Sequence, residues 1–287
     1  MFVSDQWQDF ELIDCSKGEK LECWGEFYLV RPDPQAIWDT PRRNHHWNDR
    51  NGRYRRSETG GGSWDKGDLP EAWEIRYKEL RFKVRPMNFK HTGLFPEQAA
   101  NWDWAMDKIR KAGRDVSVLN LFGYTGAATL AAAAAGWHPT HVDASKPAIA
   151  WARENQSLSH LETRPIRWIL EDAVKYVQRE LRRGSRYEGI LLDPPAFGRG
   201  PGGGVWKVEH HLADLLRLCV QLLSPDARLL VLTTYNIEAS SLMLLDLLRD
   251  LPFPKGGTFA AGELALPHAA SPARLLPLSI YATWSRL

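Results

Sequence analysis

An α/β fold with a doubly wound, largely parallel sheet is predicted for the second two thirds of this 287-residue chain. Three observations predict it. From Val116 onward, short runs of Leu, Ile and Val alternate with longer amphipathic runs, and near-continuous apolar strands belong to a sheet covered by helices on both faces. The first such strand, "VLNLF", passes through "GYTG" into the alanine-rich run "AATLAAAAAG", the form of a strand–turn–helix unit whose turn approaches a ligand. Three later strands end in an aspartate, at Asp143, Asp172 and Asp193.

The elements follow in order. "VSVLNLF", "HPTHVDA", "IRWIL", "YEGILLD" and "ARLLVLTTY" are read as strands, with helices in "GAATLAAAAAG", "KPAIAWARENQSL", "DAVKYVQRELRRG", "VEHHLADLLRLCVQLL" and "EASSLMLLDLLRDL". "GTFAAGELAL" and "LLPLSIYATWS" add two strands with no long helix between them, so they are expected to be antiparallel. Before the sheet, Phe95–Gly113 reads as a helix, with Pro96 in its first turn and Gly113 after basic residues at its end.

Residues 1–85 read as a separate small β-domain, leaving 86–287 to the α/β domain. Lys20–Pro32 is aromatic and β-branched, and Trp73–Pro86 alternates before shifting phase near Leu80, a bulge or turn. Ser57–Asp68 reads as a glycine-rich loop. With 44% hydrophobic and 25% charged residues the chain has ordinary globular composition. Cys15, Cys23 and Cys219 form no disulfide framework and lack metal-ligand spacing, so no metal is expected. No basic start with an apolar core marks a signal peptide, and no apolar run reaches the ~20 residues of a membrane span. A cytoplasmic location is the expectation. Monomer and homodimer both remain open.

Ligands of doubly wound sheets bind at the carboxyl ends of the strands, beside the first one. Gly123 and Gly126 suit a tight turn there, although G-x-x-G lacks the spacing of a dinucleotide fingerprint. Asp143, 20 residues after Gly123, suits the hydroxyls of a ribose, or caps the next helix, a role Ser145 also fits. Asp172 suits an adenine amine or another helix cap. Asp193 opens "DPPAFGRG", where Pro194 and Pro195 stiffen the chain and remove two donors, leaving carbonyls free to accept.

These pieces together resemble the class I S-adenosylmethionine-dependent methyltransferases. The resemblance rests on "HTGLFPEQAANW", "VLNLFGYTGAATLAAAAAG", "VDASKPAIAWARENQ", "DAVKYV" and "LLDPPAFGRG", and covers about two thirds of the chain. It is narrower toward the bacterial large-subunit ribosomal RNA methyltransferases and their relatives, a subgroup of which the tail "GELALPHAASPARLLPLSIYATWS" resembles. The resemblance implies a Rossmann-like seven-stranded methyltransferase sheet and S-adenosyl-L-methionine as cofactor. Its amino-acid end would lie over Phe122, Gly123, Tyr124, Thr125 and Gly126, flanked by Asn120. Its ribose would meet Asp143, with Ala144 and Ser145 beside it, and its adenine Asp172, next to Ala173. Phe95 and Gln98 fall in the pre-sheet segment that approaches the cofactor in that family. Asp193, Pro194, Pro195 and Phe197 would form the catalytic loop between cofactor and acceptor.

Methyl transfer is an in-line displacement that needs no metal, only alignment and exclusion of water. Methylation of cytosine C5 also needs a cysteine thiolate. The 5-methylcytosine branch of the family carries cysteine after the fifth strand, where this chain has "VLTTYNIEAS". Cys219 lies on an apolar helix face and reads as core. A nitrogen acceptor is therefore favoured, with Thr233, Thr234 and Asn236 as pocket candidates. Ala196 stands where amino-methylating enzymes often place an aromatic; Phe197 follows it, either stacking on a base or packing under the loop. Gly198–Trp206 is a lid or a plain linker, and Lys207 after it either meets a phosphate or is simply solvated.

The resemblance implies RNA as the substrate. The segment Pro41–Arg56, with six arginines for phosphates and His45, His46, Trp47 and Tyr54 for stacking, is read as a surface that suits RNA or as a solvated arginine loop. Competing expectations are a methyltransferase of proteins or small molecules, a nicotinamide-dependent oxidoreductase, and a non-catalytic RNA-binding module. The glycine spacing and the Asp-Pro-Pro loop oppose the oxidoreductase.

Overall fold

The computed structural model describes residues 1–57, 61–110, 116–199, 204–235, 237–271 and 273–286. They form two compact units, one of Val3–Glu97 with Ala265–Leu278, the other of Met1–Phe2, Gln98–Leu264 and Ser279–Leu287. The sequence reading puts a boundary at 85/86, whereas these units group 86–97 and Ala265–Leu278 with the first strands. Hydrogen bonds explain the difference. Arg85 N–H donates to Thr92 O at 3.0 Å, and Ala269 and Ala270 N–H donate to Leu12 O and Ile13 O at 2.9 Å. The Ser4 hydroxyl donates to Pro96 O at 2.7 Å.

After β1 (Phe2–Val3) come β2 (Phe10–Ser16), β3 (Glu19–Trp24), β4 (Phe27–Pro32), β5 (Gly52–Arg56) and β6 (Gly62–Asp65). β2 to β6 form a five-stranded sheet in chain order. All its pairs are antiparallel except β4–β5. The aromatic run Lys20–Pro32 is thus two strands, turned at Gly25 with φ 69°. β7 (Trp73–Tyr77) and β8 (Leu80–Val84) make a separate hairpin, whose turn at Lys78 (φ 53°) is the phase shift seen in the sequence. Part of the glycine-rich insert is strand β6 rather than loop, because Trp64 pairs across from Tyr54 with ring centroids 5.6 Å apart. Cross-strand aromatic pairs outweigh glycine's poor strand propensity here.

The other unit contains α1 (Ala99–Arg110), which follows a 3-10 turn at Pro96–Gln98; its expected terminator Gly113 lies outside the described residues. Then come β9 (Ser117–Leu121), α2 (Ala127–Ala134), β10 (His138–Asp143), α3 (Lys146–Leu158), β11 (Arg167–Leu170), α4 (Ala173–Arg182) and β12 (Gly189–Leu192). A short hairpin of β13 (Phe197–Arg199) and β14 (Val205–Lys207) precedes α5 (Val208–Leu222), β15 (Leu229–Thr234), α6 (Ser241–Arg249), β16 (Thr258–Pro267) and β17 (Leu275–Ser285). The sheet order is β1-β16-β17-β15-β12-β9-β10-β11. The seven expected strands are all present, with β1 added at the edge. β9 to β12 and β15 are parallel, and β17 runs antiparallel to β15.

Leu119, Leu121, Ile190, Leu192, Leu230 and Leu232 of the central strands are no more than 2% exposed, and Val118, Leu191 and Val231 on the opposite face no more than 9%, so these strands are buried on both faces and read as largely apolar runs rather than as alternation. Cys219 packs in this core, fully buried, and burial pushes its thiol up to about 12. Among the described residues no helix is long and apolar enough to cross a membrane.

Candidate active site at the carboxyl ends of the strands

Strand register brings the predicted residues level. Leu121 pairs with both Val142 and Leu192, Asp143 with Leu170, and Leu192 with Leu232. The chain leaves β9, β10, β11, β12 and β15 at the same end of the sheet. Order reverses around β9, which has β10 on one side and β12 on the other, so a crevice opens there.

The turn after β9 is bent tightly. Phe122, Tyr124 and Gly126 have φ of 57°, 50° and 89°, a region that costs side-chain-bearing residues on the order of 1–3 kcal/mol. Such strain persists only where surroundings enforce it. Here Gly123 N–H donates to Val142 O at 3.1 Å and Gly126 N–H to Gly123 O at 3.0 Å. A Cβ at Gly123 would overlap the imidazole of His141. One at Gly126 would meet Ala152 Cβ at 2.8 Å. The second glycine is thus needed for both its backbone angle and its packing, the first for packing against His141.

Three side chains that sequence reasoning did not assemble support this turn. The Asn120 amide donates to Thr129 Oγ1 at 2.8 Å, and Thr129 Oγ1 lies 2.9 Å from His141 Nδ1. All three are buried, and burial pushes His141 down to about 3, so its ring stays neutral. Asn120 was expected beside the cofactor; its amide donor is engaged inside the fold, on Thr129 of α2. Thr125 is buried, and its carbonyl accepts from the Asn155 amide at 3.0 Å.

Asp143 ends β10. One carboxylate oxygen accepts from Tyr124 N–H and the other from Ser145 N–H, both at 2.8 Å. It therefore ties the strained turn to the start of α3. Burial raises its pKa, while these two backbone bonds oppose the rise. An ionised carboxylate offers about four acceptor positions, so two suited to a pair of hydroxyls remain. Ser145, not Asp143, caps α3, accepting from Ala148 N–H at 3.3 Å; Ala144 lies between them, half-buried. Asp172 does cap α4, accepting from Lys175 N–H at 3.0 Å through one oxygen. Ala173 is buried as the first residue of that helix.

Asp193 follows β12. Its Oδ2 accepts from Gln98 Nε2 at 2.8 Å. Gln98 Oε1 in turn accepts from Asn101 Nδ2 at 2.8 Å, and the same Asn101 amide donates to Thr233 Oγ1 at 2.9 Å. This network fixes which way both amides face, since only the nitrogens can donate. Gln98 was expected near the cofactor; Asn101 was not singled out, because an asparagine in a helix carries no sequence signal. Phe95 belongs to the unit containing Val3–Glu97, where its ring lies 5.1 Å from that of His91.

The proline loop holds one surprise. Pro194 is buried and Pro195 half-buried, but the Pro195 carbonyl is not left free: Trp206 Nε1 donates to it at 2.7 Å. The Trp206 ring lies 5.2 Å from Phe122, so this tryptophan, unnoticed in sequence, links the two loops. Phe197 is 54% exposed at the start of the β13–β14 hairpin and does not pack under the loop. The ends of the glycine-rich segment are thus paired strands; Gly200–Gly203 lie outside the described residues, as does Asn236. Thr233 and Thr234 are buried, and Thr234 Oγ1 has no partner among the described residues.

An acceptor carboxylate at the second strand end, a strained glycine turn and a carboxylate followed by Pro-Pro fit a nucleoside whose tail lacks phosphates. Residues 35–253 match the family described as S-adenosylmethionine-dependent methyltransferase. The chain belongs to that family. A SAM-dependent methyltransferase from Agrobacterium tumefaciens, known from its crystal structure, is 44% identical, with a TM-score of 0.95 over 100% of this chain and 93% of the other. Proteins named ribosomal RNA large subunit methyltransferase K/L are also similar. The one from Syntrophotalea carbinolica is 30% identical over 62% of this chain and 24% of its own length. The one from Shewanella frigidimarina is 32% identical over 52% of this chain and 20% of its own. The chain spans at most a quarter of these curated relatives. It is a methyltransferase of the α/β class, and S-adenosylmethionine is its cofactor.

The Pro41–Arg56 segment is less available to a ligand than its sequence suggests. Trp47 and Tyr54 are each only 4% exposed, so neither ring offers a face to a base. Trp47 Nε1 donates to Asp14 at 2.7 Å, and Arg42 lies over its ring at 4.0 Å. Arg42 and Arg53 are paired with Glu19 at 2.8 and 2.6 Å. His46 stacks on Tyr28, with centroids 3.4 Å apart. Arg43, Arg55 and Arg56 remain exposed.

Proposed function

We propose that this methyltransferase acts on a ring or exocyclic nitrogen of RNA, ribosomal RNA being the favoured substrate. The observation that carries the nitrogen acceptor is the Thr233–Asn101–Gln98–Asp193 chain at the end of β12. It presents an oriented carboxylate with no thiol beside it: the segment after β15 has no cysteine, and Cys219 is locked in the core. A carbon acceptor needs a nucleophilic thiolate; a nitrogen with its own lone pair needs only to be held in line. RNA is supported by the names of the relatives and by the exposed arginines Arg43, Arg55 and Arg56.

When bound, S-adenosylmethionine supplies a methyl group activated on a sulfonium. Asp143 would accept the ribose hydroxyls, the second carboxylate oxygen of Asp172 would accept from the adenine amine, and the Phe122–Gly126 backbone would hold the amino-acid end. Asp193 accepts a hydrogen bond from the acceptor's N–H, aided by the Pro194 carbonyl, so that the lone pair is aimed. Gln98 and Asn101 are positioning residues: they hold the Asp193 carboxylate in one rotamer. Phe197 stacks on the target base from its exposed position.

The test is incubation of the purified protein with isotope-labelled S-adenosylmethionine and undermethylated ribosomal RNA, followed by nucleoside mass spectrometry. An N-methylated nucleoside is expected. A 5-methylcytosine product, or label entering only protein or small-molecule fractions, would refute the reading.

A further inference from the structure

At the opposite end of the same sheet, before the amino-terminal ends of β12 and β15, lies an open pocket of about 560 Å³. Its size falls within the range typical of small-ligand sites. Arg186, Lys255 and Arg286 line it, and among the described residues no carboxylate side chain does. The three cations come from places far apart in the chain: Arg186 closes the basic run Arg179–Arg186, and nothing in the sequence groups it with Lys255 and Arg286. None of them has an ion pair among the described residues. Arg286 donates from Nη1 to Lys255 O at 3.1 Å and from Nη2 to Pro225 O at 2.7 Å, which fixes the guanidinium without neutralising it. Arg186 likewise donates only to a carbonyl, that of Ser185, at 2.8 Å. Arg42 and Arg53 differ, since both are ion-paired, sharing the one carboxylate of Glu19.

Two further features suit a ligand with both charge and an apolar surface. Phe253 forms part of the lining and is backed by Trp284 at 5.0 Å and Phe259 at 5.3 Å. Ser224, 8% exposed, also lines it, and its hydroxyl has no hydrogen-bond partner among the described residues.

We propose that this pocket binds the sugar-phosphate backbone of the RNA substrate. Arg186, Lys255 and Arg286 contact phosphate oxygens, and Phe253 supplies an apolar wall for a sugar or base. The proposal rests on the RNA reading above. It assigns a contact on the far end of the sheet, as a large folded substrate allows and a small molecule does not.

The test measures binding of a labelled single-stranded oligoribonucleotide by fluorescence anisotropy across a salt series. Wild-type protein is compared with an Arg186→Gln/Lys255→Gln variant. Both positions are exposed, so the fold should survive, and unchanged S-adenosylhomocysteine affinity verifies this. The salt slope is expected to fall by about 1.4, which is about 0.7 for each phosphate that a removed cation no longer neutralises. If cofactor affinity also drops, the single Lys255→Gln variant repeats the measurement, with an expected fall of about 0.7. An unchanged slope overturns the pocket assignment and leaves the RNA reading intact. Wild-type protein that binds no RNA removes both. Inorganic phosphate that binds wild type but not the variant, with RNA affinity equal in the two, reassigns the pocket to a free anion and overturns the proposal.

Discussion

At the end of β9 the chain is held by its own backbone: two glycines, two bulky residues at positive φ, and an aspartate that accepts from main-chain N–H groups on both sides. At the end of β12 the key carboxylate is held by side chains, from residues 95 positions away and, through Asn101, by a link spanning 132. The two loops stand at one end of one sheet, joined through Trp206. On the proposed reading, the half that would hold the cofactor is built locally and stiffly, and the half that would face the acceptor is assembled from side chains distant in the chain.

Substitutions should separate the two halves. The largest effect is expected from Gly123→Ala, whose new Cβ collides with the His141 ring. Overpacking of this kind costs about 1–3 kcal/mol. The variant should melt at lower temperature and lose calorimetric S-adenosylhomocysteine binding altogether; near-normal binding would mean the turn is softer than its packing indicates. Asp193→Asn comes next. It should lower kcat by about 10²-fold, the scale for a positioned group acting on a proton in the transition state, while cofactor affinity stays within a factor of two or so.

Asn101→Ala should act in the same direction but less strongly. It strips Gln98 Oε1 and Thr233 Oγ1 of a donor, an effect of about 1–3 kcal/mol for buried partners. If Asn101 positions Asp193, the change appears in kcat and is relieved in part by Asn101→Gln or Asn101→His. A purely structural role would lower the melting temperature and leave kcat of the folded fraction alone.

The smallest effect is a pH dependence on the cofactor side. Burial raises the pKa of Asp143 above 3.8. The folded state therefore holds that proton more tightly than the unfolded chain. The resulting stability is fully present below 3.8 and is lost as pH rises through the raised value. On the proposed reading the ribose hydroxyls meet the ionised carboxylate, so S-adenosylhomocysteine affinity should fall as pH drops through that same window. In Asp143→Asn the affinity should be weak and flat over it. A wild-type profile equally flat would remove Asp143 from the ribose.

How much of this was legible in the chain follows the same division. Gly123, Gly126, Asp143, Asp172 and Asp193 announce themselves because each sits at a strand end, where a turn restricts residue type. The two alternative helix caps resolve only with coordinates: Ser145 caps α3 and Asp172 caps α4. Asn101 and Trp206 were invisible because one is a polar residue in a helix and the other an aromatic after a glycine run, and neither context predicts a partner. Trp47 and Tyr54 misled in the other direction. An aromatic among arginines reads as a stacking surface, yet both rings are buried and two of the arginines serve internal ion pairs.

By itself the sequence determined the doubly wound sheet, the cofactor turn and the aspartates at its strand ends, because hydrophobic period and glycine placement are local and every residue's backbone must obey them. Only the tertiary structure decided that Gln98 and Asn101 orient Asp193, that Trp206 takes the Pro195 carbonyl, and that Arg186, Lys255 and Arg286 converge on one pocket. Hydrogen bonds and fields act through space, and the chain's order does not record which distant side chains folding brings together.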